Sequence, residues 1–599
     1  MGNHPKRLYE FGPFRLDLEE HLLLHEGQPV ALPPKVFDTL VLLVENSGRI
    51  IGKEEMMNLL WPDRYVEEAN LTQNIFMLRK AMGEGLKAHY IETIPKRGYR
   101  FVAPVREVEG EVDAPETEKS AAAHEIGAED EVEARREGDG KSLAVMPMIN
   151  ESNDAEVEYL SDGITECIIN SLTQLTQVRV IASSLVFRYK GQDIDALRVG
   201  RELGADTVLV SRLLVWGNVF VVRAELIEVR TGWQLWVKRY HIPLSDILEM
   251  QDEVSLSVAD KLNVQLTEEK KQQLRKYFTE KPEAYQAYLK GRYYWNKRTV
   301  AGYEKAIEHF QEAIAIDPDY ALAYSGLADS YVSYDFYGII PPWETSPKAK
   351  AAAIKALSID ETLAEAHTSL ACVKMMYEQD WSAAESEFQK AIDLDWRYAH
   401  AHTWYSHFLM AMGRVEDSLA ESLLALKLDP LNDSVNQYLG WHYIHARQFD
   451  RAISQLEKTL TYNPNFFLAR MTLGMAYTQI GEFSKAVTEF QAARQLDTSP
   501  VILGFLGHAH AMAGEREAAR GVLAELEELS KRGYVPPYSV GLIYTALGET
   551  PRAFEWFEKA SEVNDAWMKL IKVTPEVDTL RSDLRFADLL RRLNLIQAA

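Results

Sequence analysis

The sequence predicts a multidomain chain: a small α+β head, then an α/β domain, then a long all-α solenoid. Three observations lead to this fold class. A length of 599 residues suits about four domains. A strongly acidic stretch separates the first hundred residues from the remainder. From about residue 280 onward, a helical pattern repeats every 34 residues.

The amino-acid composition excludes several classes of protein and of binding site. An apolar fraction of 47% excludes a mostly disordered protein. The net charge of −24 opposes nucleic-acid binding unless the basic residues cluster. The two cysteines, Cys167 and Cys372, provide neither a disulfide framework nor a thiolate zinc site. A polar N-terminus and short uncharged runs predict a cytoplasmic protein without a membrane-spanning segment.

The head, residues 1–105, alternates strand-like and helical patterns. Strands are predicted at 11–18, 22–25 and 28–32. Amphipathic helices are predicted at 35–45, 52–60 and 67–82. The segments 90–93 and 98–102 then predict a hairpin around Pro95-Lys96-Arg97, in which Gly98 supplies a positive φ. The expected arrangement is a sheet, three helices and a basic terminal hairpin.

The third predicted helix has a polar face. Asn70, Gln73, Asn74 and Met77 follow the i, i+3, i+4, i+7 spacing, and Leu71, Ile75 and Leu78 suit the core. Asparagine and glutamine can each make two hydrogen bonds to adenine in the major groove. We therefore expect this face to contact base edges rather than to be a merely solvated surface.

Together these elements resemble the OmpR/PhoB-type winged helix-turn-helix over about residues 8–104. The specific marks are Leu78-Arg79-Lys80-Ala81 and Gly98-Tyr99-Arg100-Phe101, and the Pro95-Lys96-Arg97 turn is closer to the CadC-like branch. The resemblance implies double-stranded DNA as a partner, Thr93 as a phosphate contact and Trp61 in the loop before the reading helix. The candidate DNA-binding residues are Trp61, Asn70, Thr72, Gln73, Asn74, Met77, Arg79, Lys80, Thr93, Lys96 and Arg97.

One departure from the resemblance concerns the middle of the reading helix. Phe76 and Met77 stand where relatives carry arginines, which removes phosphate contacts. The positive charge is concentrated farther on: residues 79–106 contain seven basic and two acidic side chains, whereas residues 1–105 contain 13 and 14. A head with so few phosphate contacts should bind weakly on its own. We therefore expect a dimer, or tandem binding on repeated half-sites.

Residues 106–140 are predicted to form an acidic disordered linker, since 107–139 contain 13 acidic and three basic side chains. Residues 141–265 then alternate strand and helix patterns, with strands expected at 207–215, 219–229 and 234–240. Tyr159-Leu-Ser-Asp-Gly-Ile164 and Gly232-Trp-Gln-Leu-Trp236 make this α/β domain similar to the TolB N-terminal-like domain. That resemblance implies an interaction or sensory fold.

Residues 280–599 carry the repeats. Small residues recur at a spacing of 34 at Ala384, Ser418, Ala452 and Ala486, and the register continues at Ala519 and Ala553. This spacing, with a large apolar residue four positions on, is the tetratricopeptide pattern. About eight repeats fit, with a long loop expected at 335–347. A solenoid of this kind binds a protein or peptide partner in its concave groove.

The function expected from the sequence is a DNA-binding transcriptional regulator without a cofactor, a metal or enzymatic activity. The sequence contains no P-loop, GxSxG, HExxH or kinase motifs. The pairs His400/His402 and His508/His510 point apart on their helices and cannot chelate a metal. The alternatives are a repeat scaffold whose winged helix contacts proteins and, with less support, a cyclase-type signalling protein.

Overall fold

The computed structural model divides the chain into two compact units, Met1–Val132 and Glu133–Ala599. In the second unit it describes 141–152, 157–175, 177–192, 195–217, 219–262 and 279–596, with positions 154 and 264. In the first unit it describes 7–17, 22–25, 28–30, 34–60, 90–94, 98–103 and 105–109, with positions 71, 74, 75, 78, 79 and 82. None of the described helices combines the length and the apolar content needed to cross a bilayer.

The first unit contains a five-stranded antiparallel sheet of order β4-β3-β2-β1-β8. Its strands are β1 Arg7–Phe11, β2 Phe14–Asp17, β3 Leu22–His25, β4 Gln28–Val30 and β8 Arg106–Glu109. The single strand expected at 11–18 is wrong, because Gly12, with φ of +54°, turns the chain into a hairpin. Residues 106–109, assigned to the linker from the sequence, pair with β1 instead, whereas 110–140 lie outside the described residues.

A second sheet in this unit has the order β5-β7-β6. Its strands are β5 Ile50–Gly52, β6 Ile91–Ile94 and β7 Gly98–Phe101, and the helices α1 Pro34–Glu45 and α2 Lys53–Leu60 flank β5. Positions 71, 74, 75, 78 and 79 are helical, as predicted for the third helix. Leu40, Ile75 and Phe101 are fully buried in the shared core. The three-residue strand β5 escaped the sequence analysis because it is too short to show alternation.

The second unit begins with a mixed sheet of order β11-β9-β12-β13-β14, to which β10 adds beside β12. Its strands are β9 Ser142–Val145, β10 Ile149–Asn150, β11 Arg179–Val180, β12 Thr207–Trp216, β13 Val219–Glu228 and β14 Gln234–Pro243. The accompanying helices are α3 Glu158–Thr173, α4 Ser183–Phe187, α5 Ala196–Glu202 and α6 Ile247–Lys261. The predicted α/β alternation is therefore confirmed. Strands β12 and β13 form a hairpin that the pair Trp216 and Val219 closes, and its Asn218 lies outside the described residues.

Helical pairs follow from residue 282, and residues 279–596 contain eight of them, followed by a C-terminal helix. The first helices are Pro282–Asn296, Ala321–Asp335, Ala364–Val373, Ala399–Met412, Asp433–His445, Phe467–Gln479, Pro500–Met512 and Pro537–Ala546. The second helices are Val300–Ile316, Pro342–Ile359, Trp381–Leu394, Val415–Leu428, Phe449–Tyr462, Phe483–Leu496, Arg516–Ser530 and Thr550–Glu562. First helices of successive repeats contact one another and so line the inner side of the solenoid.

The periodic small residues are buried where helix pairs approach closely. Ala384, Ser418 and Ala452 are each fully buried, as the repeat pattern requires. The long loop expected at 335–347 is wrong. The connection is short, because Pro342 starts the next helix with a proline in its first turn, where no backbone N–H is needed.

The C-terminal segment, residues 564–595, returns along the repeats. It contains short helical turns at Ala566–Leu570 and Pro575–Leu580 and the helix Leu584–Arg592. The Trp567 indole packs against Trp441, Phe505 and Tyr538, whose ring centroids are 5.1, 5.2 and 6.2 Å away. Because these rings belong to first helices of three different repeats, Trp567 lies inside the solenoid.

Further contacts fix this segment along the inner surface. Trp567 Nε1 donates to the Phe336 carbonyl at 3.1 Å, and Lys572 Nζ donates to the Met412 carbonyl at 2.9 Å. Trp381 Nε1 donates to the carbonyl of Leu593 at 3.1 Å. The C-terminal segment therefore occupies part of the groove that the sequence led us to expect as a peptide site.

Candidate nucleic-acid interface

The predicted interface joins the third helix of the first unit to the hairpin β6–β7. Arg79, near the end of that helix, makes the link: its Nη2 donates to the Ile91 carbonyl at 2.7 Å and to Thr93 Oγ1 at 2.9 Å. The Thr93 side chain is exposed on β6. The charged side chain of Arg79 therefore joins the helix to the hairpin.

The hairpin is itself anchored to β5. Gly98 pairs with Gly52 at the start of β7, and a Cβ at Gly98 would lie 1.9 Å from the Ile51 carbonyl oxygen. Its φ of +149° also lies in the region that favours glycine. Beside it, Arg100 Nε donates to Glu92 Oε2 at 3.0 Å across the two strands, with both side chains about one-third exposed. This cross-strand pair removes one basic residue from the charge available to DNA.

Asn74 is placed differently from the sequence prediction. Its side chain is buried, with 8% of its surface exposed, and Nδ2 donates to Thr39 Oγ1 on α1 at 3.0 Å. The expectation that this amide faces outward with Asn70 is wrong. Leu71, Asn74, Ile75 and Leu78 also follow the i, i+3, i+4, i+7 spacing, so Asn74 belongs equally to the core stripe. That overlap was the signal that could have revealed its role.

Of the other candidate DNA-binding residues, Arg79 and Thr93 lie among the described residues. Arg79 is half-buried and Thr93 is exposed, and the two are hydrogen-bonded to each other. This contact was missed by the sequence reasoning, which gave each residue a separate role at phosphate. The remaining candidates lie outside the described residues: Trp61, Asn70, Thr72, Gln73, Met77, Lys80, Lys96 and Arg97.

A prediction follows for Asn74. Replacing Asn74 by alanine should destabilise the first unit by about 1–3 kcal/mol, because it removes a buried amide that bonds Thr39. The DNA sequence preference should stay the same. Urea denaturation and DNA affinity measured on the same variant test both statements. Thr39→Ser, which keeps the hydroxyl acceptor, is the matched control and should lose less stability than Asn74→Ala. Unchanged stability with weaker DNA binding would show that the amide faces DNA.

The histidine pairs in the second unit serve separate contacts. His402 lies between Glu421 Oε2, 2.6 Å from Nδ1, and the Trp396 carbonyl, 2.8 Å from Nε2. His400 accepts a hydrogen bond from Trp404 Nε1 at 3.0 Å. Among the described residues, no group of three or more His, Cys, Asp or Glu side chains is placed to hold a metal ion.

Comparison with known families supports this division of the chain. Residues 27–101 match the family described as "Transcriptional regulatory protein, C terminal". Residues 302–333 match a family described as TPR repeat, and residues 439–500 match one described as tetratricopeptide repeat. The first match spans both helices of the described head and the β6–β7 hairpin, and the other two fall on helical pairs of the solenoid.

Three relatives extend the comparison. Transcriptional regulator HilA of Salmonella typhi is 23% identical over 582 residues, which are 96% of this chain and 98% of that protein. Putative adenylate cyclase 3 of Rhizobium meliloti is 34% identical over 187 residues, 31% of this chain and 32% of that protein. Transcriptional activator CadC of Escherichia coli is 34% identical over 90 residues, 14% of this chain and 18% of that protein. The chain is thus a transcriptional regulator with an OmpR/PhoB-type DNA-binding domain in its first unit and tetratricopeptide repeats in its second.

Proposed function

We propose that the chain recognises specific DNA with the third helix of its first unit, while the β6–β7 hairpin holds the adjacent backbone. The observation that carries this proposal is the Arg79 bridge to Ile91 and Thr93, which fixes helix and hairpin together. Asn70, Gln73 and Met77 are the proposed base-contacting residues. Lys80, Thr93, Lys96 and Arg97 are the proposed phosphate contacts, together with Arg79.

The charge distribution supports this assignment. Residues 79–106 contain seven basic and only two acidic side chains, although the whole chain has a net charge of −24. Electrostatic attraction is therefore confined to the helix end and the hairpin, and the acidic remainder of the chain repels DNA. With so few phosphate contacts per head, we propose that two copies bind neighbouring half-sites.

We propose that the second unit works by binding rather than by catalysis, and that the regulator acts in the cytoplasm, where chromosomal DNA is accessible. Its repeats are the proposed site for a protein partner. A peptide that binds where the C-terminal segment 564–595 lies must displace that segment, because Trp567 and Lys572 already bond to the repeats there. A nucleotide turnover assay on the full chain distinguishes this proposal from a cyclase-type activity.

The contribution of the hairpin can be tested without knowing the operator. Changing Lys96 and Arg97 together to alanine should lower the affinity for a generic DNA duplex. It should also reduce the slope of log K against log salt by about 1.8, since each phosphate contact contributes about 0.9. Gel shifts over a series of salt concentrations measure both quantities.

The control for this experiment is Arg15→Ala, which removes an exposed charge from β2 in the other sheet of the same unit. Its slope should match that of the unchanged protein. An unaltered slope for the double variant would contradict the DNA role of the hairpin. It would favour instead a scaffold whose winged helix contacts proteins.

A further inference from the structure

A cavity of about 380 Å³ lies between the α/β domain and the first helices of the repeats. Its volume falls in the range of pockets that bind small organic ligands. Cys167 and Ser183 line it from the α/β domain, and Arg292, His400 and Tyr438 line it from the repeats. Trp567 of the C-terminal segment also lines it. Three parts of the chain, distant in sequence, therefore enclose one space.

The α/β domain is fastened around this cavity by specific contacts. Arg397 Nη1 donates to the Thr173 carbonyl at 2.7 Å, and Asn296 Nδ2 donates to Glu166 Oε1 at 3.0 Å. At Gly163 on α3, an added Cβ would lie 2.7 Å from the Leu289 side chain of the first repeat. The close packing shows that the cavity belongs to a built interface between the domain and the solenoid.

Arg292 is the unusual group in the cavity. It is half-buried, yet its guanidinium makes no hydrogen bond within the described part of the chain, and no carboxylate there comes within 4 Å of it. It lies 4.6 Å from the centroid of the Trp295 ring, and Arg298 lies 3.5 Å from the same centroid. Two cations therefore share one aromatic ring. Glu166 and Asp329 act on Arg292 only through longer-range electrostatics. Removing a cation from water is costly unless it is paired, so a bound anion in direct contact would stabilise Arg292.

The nearby acidic side chains compensate this charge poorly. Burial raises the pKa of Glu365 to about 7, so this carboxyl group loses part of its charge near neutral pH. Burial also raises the pKa of Glu166. Burial, together with Arg298 and Arg292, lowers the pKa of His400, so its imidazole is neutral there. The guanidinium groups of Arg292 and Arg298 remain charged.

The walls of the cavity are aromatic. Trp295, Trp404 and Tyr438 line it, and the Trp404 and Tyr438 ring centroids are 5.8 Å apart. These two rings pack on each other and form an apolar wall against which a flat molecule can stack. We propose that this cavity binds a small organic anion, with an aromatic body packed against these rings and a carboxylate paired with Arg292. Such a ligand would contact the α/β domain, the repeats and the C-terminal segment together, and so make the second unit a small-molecule sensor.

The experiment compares two probes of equal shape on the full chain by isothermal titration calorimetry. 2-Naphthoate carries a carboxylate, and 2-naphthamide replaces it with a neutral amide. We expect 2-naphthoate to bind one site per chain, at least about tenfold more tightly than the amide, because hydrogen bonds between charged groups are stronger than those to a neutral amide. In Arg292→Met the two probes should bind equally, and Arg292→Lys should restore part of the preference.

Arg520→Met is the control, because it removes an exposed arginine from the second helix of a repeat and should retain the preference. Equal affinity of the unchanged chain for the two probes, or no binding of 2-naphthoate at millimolar concentration, would overturn the proposal. So would a preference that survives in folded Arg292→Met. If that variant does not fold, the comparison of the two probes on the unchanged chain decides alone.

Discussion

Gly98→Ala is expected to destabilise the first unit by at least about 3 kcal/mol and to abolish DNA binding. The added Cβ would lie 1.9 Å from the carbonyl oxygen of Ile51 and 2.8 Å from its carbonyl carbon. Both atoms belong to the backbone of β5, so no side-chain rotation can relieve the overlap. The φ of +149° adds conformational strain. The strand pair β5–β7 must therefore separate, and the hairpin loses its support.

Hydrogen exchange of the backbone amides of Tyr99 and Phe101 measures this loss in the full chain. Gly48→Ala is the matched control, because Gly48 has φ of +81° but an added Cβ would meet nothing within 4 Å. Gly48→Ala should lower the free energy of unfolding only by the strain of a positive φ, about 1–2 kcal/mol. A Gly98→Ala variant that loses no more stability than Gly48→Ala would contradict the close approach of β5 and β7.

Trp567→Ala is expected to cost about 3–5 kcal/mol of unfolding free energy in the second unit. Its indole is 7% exposed, contacts rings from three repeats and bonds to the Phe336 carbonyl. Truncation leaves a void inside the solenoid that the rigid repeats cannot close. The C-terminal segment should then detach and expose the inner surface.

Urea denaturation followed by circular dichroism measures the stability, and limited proteolysis reports release of residues 564–595. Trp233→Ala is the control, since this indole is 73% exposed and its loss should change stability by less than about 0.5 kcal/mol. If Trp567→Ala were as stable as Trp233→Ala, the C-terminal segment would not be an integral part of the solenoid.

The repeats could be predicted from the sequence because their packing is local and recurs. Each small residue meets the neighbouring helix of its own repeat, so Ala452, Ala486 and Ala553 show the pattern at fixed spacing and are all fully buried. The position of Trp567 has no such signal. Its contact with Phe336 joins residues 231 positions apart, and no periodicity in the sequence relates them.

In the candidate interface too, contacts between residues distant in sequence could not be predicted. Helical spacing placed positions 71, 75 and 78 in the core correctly, because apolar side chains identify a buried face without ambiguity. Asn74 fits both the polar and the apolar stripe, and only its contact with Thr39, 35 residues away, decides between them. Arg79 similarly bonds to β6 rather than standing free, a contact that depends on how the hairpin returns to the helix.

Selection of binding sites from a random DNA duplex pool by the full chain tests most directly whether the third helix of the first unit recognises a DNA sequence. We expect enrichment of one short motif, present as repeated half-sites about one helical turn apart. Asn70→Ala with Gln73→Ala should lose that motif while keeping salt-sensitive binding to any duplex. Failure to enrich any motif, or recovery of the same motif by the double variant, would contradict sequence recognition by the third helix.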